Sequence, residues 1–387
     1  MKNLMNVIGI VALSFGLLAC GGSQSHEPQI AKELVITINE GARETEEDRL
    51  ADQELVAAHF KEKHPEARLE YVPWKFTPES YLTKYRSKTL TDVTEVFATE
   101  GRVLIDKGMA YDITDWVKQW ERYDSFNAEL LKPISRDGRI YGLPRGGIRG
   151  GYVMTLFCNK KMFRDAKIVD DKRNPKAPAT WEEFVETATR LTDKKKGVVG
   201  FAVLAEGAAG GWHFLNWVWQ AGGEFEREEN GKWRAVFNEP RGVEALQFLK
   251  DLKWKYDVVQ DNIMASNDDL FYQFAADKVG MAIFTPEYLY FIVEKLNYPL
   301  DNIEIALLPA GPAGRANQMG GWYMTIPSYL SEARARAAFE AMLLEYDLDL
   351  MEQRLKLMRE RGRLTGLPAL PAFHGEFQKN MDEITAR

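Results

Sequence analysis

Trp212, Trp217 and Trp219 fall within eight positions, inside Gly210-Gly211-Trp212-His213-Phe214-Leu215-Asn216-Trp217-Val218-Trp219-Gln220-Ala221-Gly222-Gly223. A second group, Gly320-Gly321-Trp322-Tyr323, sets two aromatics directly after paired glycines. Such groups suit the recognition of a sugar. An aromatic ring covers the apolar C–H face of the sugar, while carboxylates, amides and arginines hydrogen-bond its hydroxyl rim. Phe214 and Trp217, three positions apart, equally fit the core face of a helix. The spacing therefore predicts Trp217 in the core, and the flanking glycines predict Trp212 and Trp322 where a ligand can approach.

Other chemistries lack their residues. The chain has no His-Glu-x-x-His zinc helix, no Gly-x-Ser-x-Gly elbow, no phosphate-cradling Gly-x-x-x-x-Gly-Lys-Ser/Thr and no Cys-x-x-Cys. Its five histidines are scattered, and His59 and His64 stand five apart, which does not put them on one helical face. No metal, no cofactor and no catalytic residue is expected. A formal charge of −7, mixed along the chain, speaks against a nucleic-acid partner, which would need concentrated Lys and Arg.

The first residues carry a different signal. Lys2 precedes an apolar stretch, Val7 to Ala19, too short to span a bilayer well. Leu17-Leu18-Ala19-Cys20 then reads as a lipobox, followed by Gly21-Gly22-Ser23-Gln24-Ser25. The expectation is a signal peptide over 1–19, lipidation at Cys20, a flexible tether over 20–32, and an extracytoplasmic protein anchored to a bacterial membrane without spanning it. Cleavage leaves 368 of 387 residues, enough for about two domains. Cys158 is then the lone cysteine, among Leu156, Phe157 and Met162, and is expected as a buried apolar residue.

The elements that must position the aromatics follow an α/β pattern. Leu34-Val35-Ile36-Thr37-Ile38 reads as a buried strand, 46–63 as a helix stopped by Pro65, and 68–74 as a second strand. Strand, helix, strand predicts a largely parallel sheet. Further strands are expected over 92–98, 279–284 and 303–308. Thr180-Trp181-Glu182-Glu183 reads as a capping box. Pro240 opens a helix expected to bury Val243, Leu246, Leu249 and Leu252. Helices over 332–346 and 348–358 close the chain. Glycine concentrates in Gly142 to Gly151 and in Pro309 to Gly314, natural places for hinges.

In order and spacing these segments resemble a known family. The carriers are Asp92-Val93-Thr94-Glu95-Val96-Phe97-Ala98, Gly108-Met109-Ala110-Tyr111-Asp112-Ile113-Thr114, Asp137-Gly138-Arg139-Ile140-Tyr141-Gly142-Leu143-Pro144, Phe157-Cys158-Asn159-Lys160-Lys161-Met162-Phe163, Pro178-Ala179-Thr180-Trp181-Glu182-Glu183-Phe184, Val279-Gly280-Met281-Ala282 and Leu308-Pro309-Ala310-Gly311-Pro312. From about residue 33 to 371 the chain resembles the extracellular solute-binding proteins of carbohydrate ABC importers, the group of maltose-binding protein.

The resemblance implies a two-lobed, type II periplasmic-binding-protein-like α/β fold with ligand trapped between the lobes. It implies an N-terminal lobe from 33–145 and 303–345 and a C-terminal lobe from 146–302 and 346–387, with crossovers near 145–152 and 302–310. It implies a carbohydrate ligand, expected to be an oligosaccharide, an ABC permease as partner, and a monomer that binds without catalysis. Carried over residue by residue, the ligand positions are Asn39, Glu40, Glu100, Arg102, Tyr152, Trp212, Tyr288 and Trp322. Two departures bear on substrate: Cys158 stands where a tyrosine is common, and the long 145–151 segment adds Arg145 and Arg149 at the cleft floor. Paired arginines suit carboxylates, which points to an acidic sugar. Rival readings are a polyamine or polyol-phosphate receptor, a secreted polysaccharide-degrading enzyme, and a sensory lipoprotein.

Overall fold

The computed structural model describes residues 33–145, 152–171 and 173–364, with Gly375, Lys379 and Glu383 beyond them. The proposed signal peptide, Cys20, the tether and Arg149 lie outside the described residues.

Two sets of cores divide the chain. One joins Ile36, Val56, Phe60, Val93, Leu143, Met324, Phe339 and Leu350, with a neighbouring cluster around Tyr81, Val96 and Tyr323. The other joins Leu156, Phe184, Phe201, Trp217, Leu252 and Met281, with a neighbouring cluster around Phe157, Phe274 and Phe284. No residue between 154 and 308 enters the first set, and none of the buried residues before 145 or after 308 enters the second. Two lobes follow from that separation.

Strands form where β-branched and apolar residues run together. Leu34–Ile38 pairs in parallel with Ala67–Tyr71, the helix Glu47–Lys63 crossing between them. Ile38 bridges in parallel to Val93, beside Thr94–Phe97. That strand pairs antiparallel with Trp322–Thr325, which pairs antiparallel with Gly142–Pro144. The second lobe holds a four-stranded sheet ordered Ile303–Ala306, Thr155–Asn159, Val279–Phe284, Val199–Ala202. Only its last pairing is parallel. The expected parallel sheet is thus a mixed one, because strands returning from distant parts of the chain slot in antiparallel.

The crossovers pair with each other. Tyr152–Val153 and Met319–Gly320 form a two-stranded antiparallel ribbon, extended by Met154 N donating to Gln318 O at 2.9 Å. This corrects the lobe boundaries. Ile303–Ala306 lies in the second lobe's sheet, so the return crossing comes after it, not at 302–310. The helix Leu348–Glu360, expected in the second lobe, packs on the first: Leu350 and Met351 share a core with Val56 and Phe60. Its amphipathic face finds the helix Glu47–Lys63, and Arg354 donates to Asp52 at 2.7 Å twice over.

Smaller readings also shift. Thr180 Oγ1 accepts the Glu183 amide at 3.3 Å, while Glu183 reaches Ala179 N at 2.8 Å and not the Thr180 amide. In Pro240–Trp254, Val243 and Leu246 are more than half exposed; the buried face is Gly242, Ala245 and Leu252. Cys158 is fully buried, and burial pushes its thiol pKa up.

Candidate functional site

The residue that sequence reasoning missed is Phe97. It ends the strand Thr94–Phe97 and lies directly opposite Trp322 in the antiparallel register, so both rings stand on one face. Their centroids are 4.0 Å apart. Trp212, from the other lobe, meets Phe97 edge-on at 6.1 Å. Three aromatics from two lobes therefore converge where the strand ends, all of them half-buried. The signal available in the sequence was an aromatic closing an apolar run just before Ala98-Thr99-Glu100.

The Trp212 wall is fixed to the crossover ribbon by one side chain. Trp212 rides on the helix Gly207–Gln220. Asn216, fully buried on the same helix, accepts Gln318 N at 2.5 Å through Oδ1. Its Nδ2 donates to Trp212 O at 3.0 Å and His213 O at 3.2 Å. Burial lowers the His213 pKa to about 4, so this wall carries no imidazolium at neutral pH. Trp217 is buried in the second lobe's core.

Two buried polar atoms close to these elements have no hydrogen-bond partner among the described residues: Trp74 Nε1, in the cluster that includes Phe97 and Trp322, and Gln318 Oε1, on the ribbon. Buried polar atoms are rarely left unpaired without water or ligand. They supply a donor and an acceptor.

The other carried-over positions divide. Glu100 is half-buried, its Oε2 accepting from Thr99 Oγ1 at 2.6 Å, and stays near Phe97 on the helix Ala98–Asp106. Asn39 is fully buried and spends its amide on one neighbour: Oδ1 accepts Glu95 N at 2.6 Å and Nδ2 donates to Glu95 O at 3.4 Å. Glu40 takes a left-handed φ of 61° and accepts Phe76 N at 2.9 Å. Both shape the loop after the first strand, and the hydrogen bonds they make lie within the lobe. Arg102 lays its guanidinium 4.4 Å over the Trp233 ring. Tyr288 packs on Phe271 at 4.7 Å within the second lobe, where burial raises its pKa. Tyr152 contributes its backbone to the ribbon.

Arg145 is the clearest departure. It was expected at the cleft floor, free for a ligand carboxylate. Its Nε instead lies 2.7 Å from Glu95 Oε1, a carboxylate that is 4% exposed. The pair faces a cavity of about 30 Å³ inside the first lobe, lined also by Arg49, Asp52, Tyr71, Glu345 and Arg354. One edge of the guanidinium is thus engaged by an internal carboxylate, while the side chain stays about one-third exposed. Among the described residues no group of three His, Cys, Asp or Glu is placed to hold a metal, and no helix is long and apolar enough to cross a membrane.

The model of the bacterial extracellular solute-binding proteins matches residues 43–345. This chain belongs to that family. Family membership implies a location outside the cytoplasm. An ABC-transporter solute-binding protein from Thermotoga lettingae, bound with α-D-tagatose, superposes with a TM-score of 0.70 at 22% identity, covering 92% of this chain and 84% of that one. A maltose-bound T. maritima protein gives 0.69 and 22%, covering 91% and 85%. The GacH receptor of Streptomyces glaucescens, solved unliganded and with acarbose, gives 0.69 and 17%, covering 91% and 85%. These likenesses establish the fold, a two-lobed type II periplasmic binding protein.

Proposed function

We propose that this solute-binding protein traps a carbohydrate between its lobes, held at the membrane by lipid on Cys20, and delivers it to an ABC permease. The observation that carries the reading is the convergence of Phe97 and Trp322 from one lobe with Trp212 from the other. Rings on both walls cover both faces of a sugar only when the lobes close, so ligand binding and closure become one event. The unpaired Trp74 Nε1 and Gln318 Oε1 provide hydrogen bonds for its rim. The ligands of the structural neighbours, tagatose, maltose and acarbose, belong to the same chemistry. The lipid anchor rests on Leu17-Leu18-Ala19-Cys20 alone.

Thermal unfolding of the mature, unlipidated chain tests it against neutral oligosaccharides, uronate-containing ones, polyamines and glycerol phosphodiesters. A ligand at a hundred times its dissociation constant adds about 2.7 kcal/mol. A shift with a sugar is expected, and Trp212→Ala or Trp322→Ala should weaken that sugar about tenfold, the worth of one well-packed ring contact. One neighbour holds glycerophosphocholine; a shift with a phosphodiester and with no sugar would reject the carbohydrate reading and keep the fold.

A further inference from the structure

The hairpin Glu226–Glu229 and Lys232–Ala235 leaves the second lobe with almost no buried residue of its own. It nevertheless displays Trp233, 46% exposed. In its register Glu228 pairs with Trp233, so the two side chains share one face, while Arg227 and Arg234 share the other. The arginine face is satisfied within the lobe by Glu224, Glu229 and Glu239. The Glu228–Trp233 face meets the first lobe.

There, the Arg102 guanidinium lies 4.4 Å from the Trp233 ring centre. Beside this contact opens a cavity of about 520 Å³, lined by Arg102, Lys132 and Arg136 of the first lobe and by Glu228. Arg102 and Arg136 make only loose ion pairs, with Asp106 and Asp137, at 3.4 to 4.0 Å. Glu228 makes no ion pair among the described residues. Lys132 is held by Glu129 at 2.7 Å, so it is Arg102 and Arg136 that face an unpaired carboxylate and an aromatic ring across a gap between lobes, along the helix Ala98–Asp106 that begins directly after Phe97.

We propose that this hairpin is a latch for the closed form. Trp233 clasps Arg102, and Glu228 draws toward Arg102 and Arg136 as the gap narrows. The proposal rests on the reading that the lobes close on a ligand, and not on which ligand it is. A contact made only when closed shifts the open–closed equilibrium without touching what is bound. An exposed cation–π pair is worth about a two- to fivefold shift.

Spin labels on Glu121→Cys and Lys195→Cys, one exposed site in each lobe, report the inter-lobe distance in the full mature chain without ligand. Trp233→Ala should deplete the short-distance population two- to fivefold, and Trp233→Phe, which keeps a ring, should restore much of it. Arg102→Gln, which removes a partner of Glu228 as well, should deplete it at least as far, and adding Trp233→Ala to it should change nothing more. Trp233 is exposed, so far-UV circular dichroism should be unchanged in every variant. A wild-type distribution without a short-distance population, or one that Trp233→Ala leaves unaltered, overturns the latch. Failure of the carbohydrate reading registers separately, as the absence of any thermal shift with sugars.

Discussion

Single residues show where local pattern informs and where it does not. Trp217 was legible as core because its spacing from Phe214 is a helical one, and the residue is 2% exposed. Arg145 was not, because its partner Glu95 lies fifty positions upstream and only the fold brings them together. That pair has a measurable signature. Burial raises the Glu95 carboxyl to about 7 against the attraction of Arg145, and its Oε2 has no hydrogen-bond partner among the described residues. Glu40, Arg49, Asp52, Tyr71, Glu345 and Arg354 surround it from the neighbouring elements. A carboxyl whose folded pKa exceeds its unfolded value favours the fold below the unfolded pKa, and the contribution is lost as pH rises through the folded one. The stability of the wild type relative to Glu95→Gln should therefore fall between about pH 4.5 and 7 and level off above. Thermal melts of both proteins from pH 4 to 8 check this; a flat difference would show that Glu95 ionises normally.

Among elements, existence and type were largely readable, and partners were not. The helix Pro240–Trp254 was expected from its proline and periodicity, yet Val243 and Leu246 face outward, because Ala245 and Gly242 allow a closer approach than leucine would. The glycines of Pro309 to Gly314 were legible as special, though not for the reason first apparent. Gly311 wraps the end of the helix Gly207–Gln220: a Cβ there would stand 2.6 Å from Gln220 O. Gln220 is itself committed, accepting from Trp181 Nε1 at 2.8 Å and donating to Ala316 O at 2.8 Å. The backbone has nowhere to give, so this segment is docked and not a free hinge. Gly311→Ala should cost about 1–3 kcal/mol, the usual toll of overpacking, read by chemical denaturation. Gly314 has open space where a Cβ would stand, but its φ of 121° belongs to glycine, so it is no substitute control.

For the whole molecule, the two-lobed plan was legible through motif order, while the route of the chain between lobes was not. Hinge crossovers announce themselves by glycine, but which lobe receives the helix Leu348–Glu360 depends on tertiary partners that no periodicity encodes. Those partners are here both apolar and ionic. Asp347 caps the helix Leu348–Glu360 by accepting Leu350 N at 3.0 Å, pairs with Lys63, and lies 3.3 Å from His59 Nε2 on the helix Glu47–Lys63. Burial alone would raise its pKa, but these hydrogen bonds carry it down to about 2. A carboxylate with a depressed pKa adds stability above its unfolded value that disappears as pH falls through the folded one. Asn still caps a helix well, so Asp347→Asn isolates the charge from the cap. Lys63 is nearly half exposed and solvent screens it, which limits the loss to about 1 kcal/mol at neutral pH. The variant should accordingly be less stable than the wild type at pH 7 and its equal near pH 2, the difference vanishing between about pH 4 and 2. Denaturant melts across that range read the result. A deficit that persists at pH 2 would mean that packing, and not charge, ties the helix Leu348–Glu360 to the first lobe.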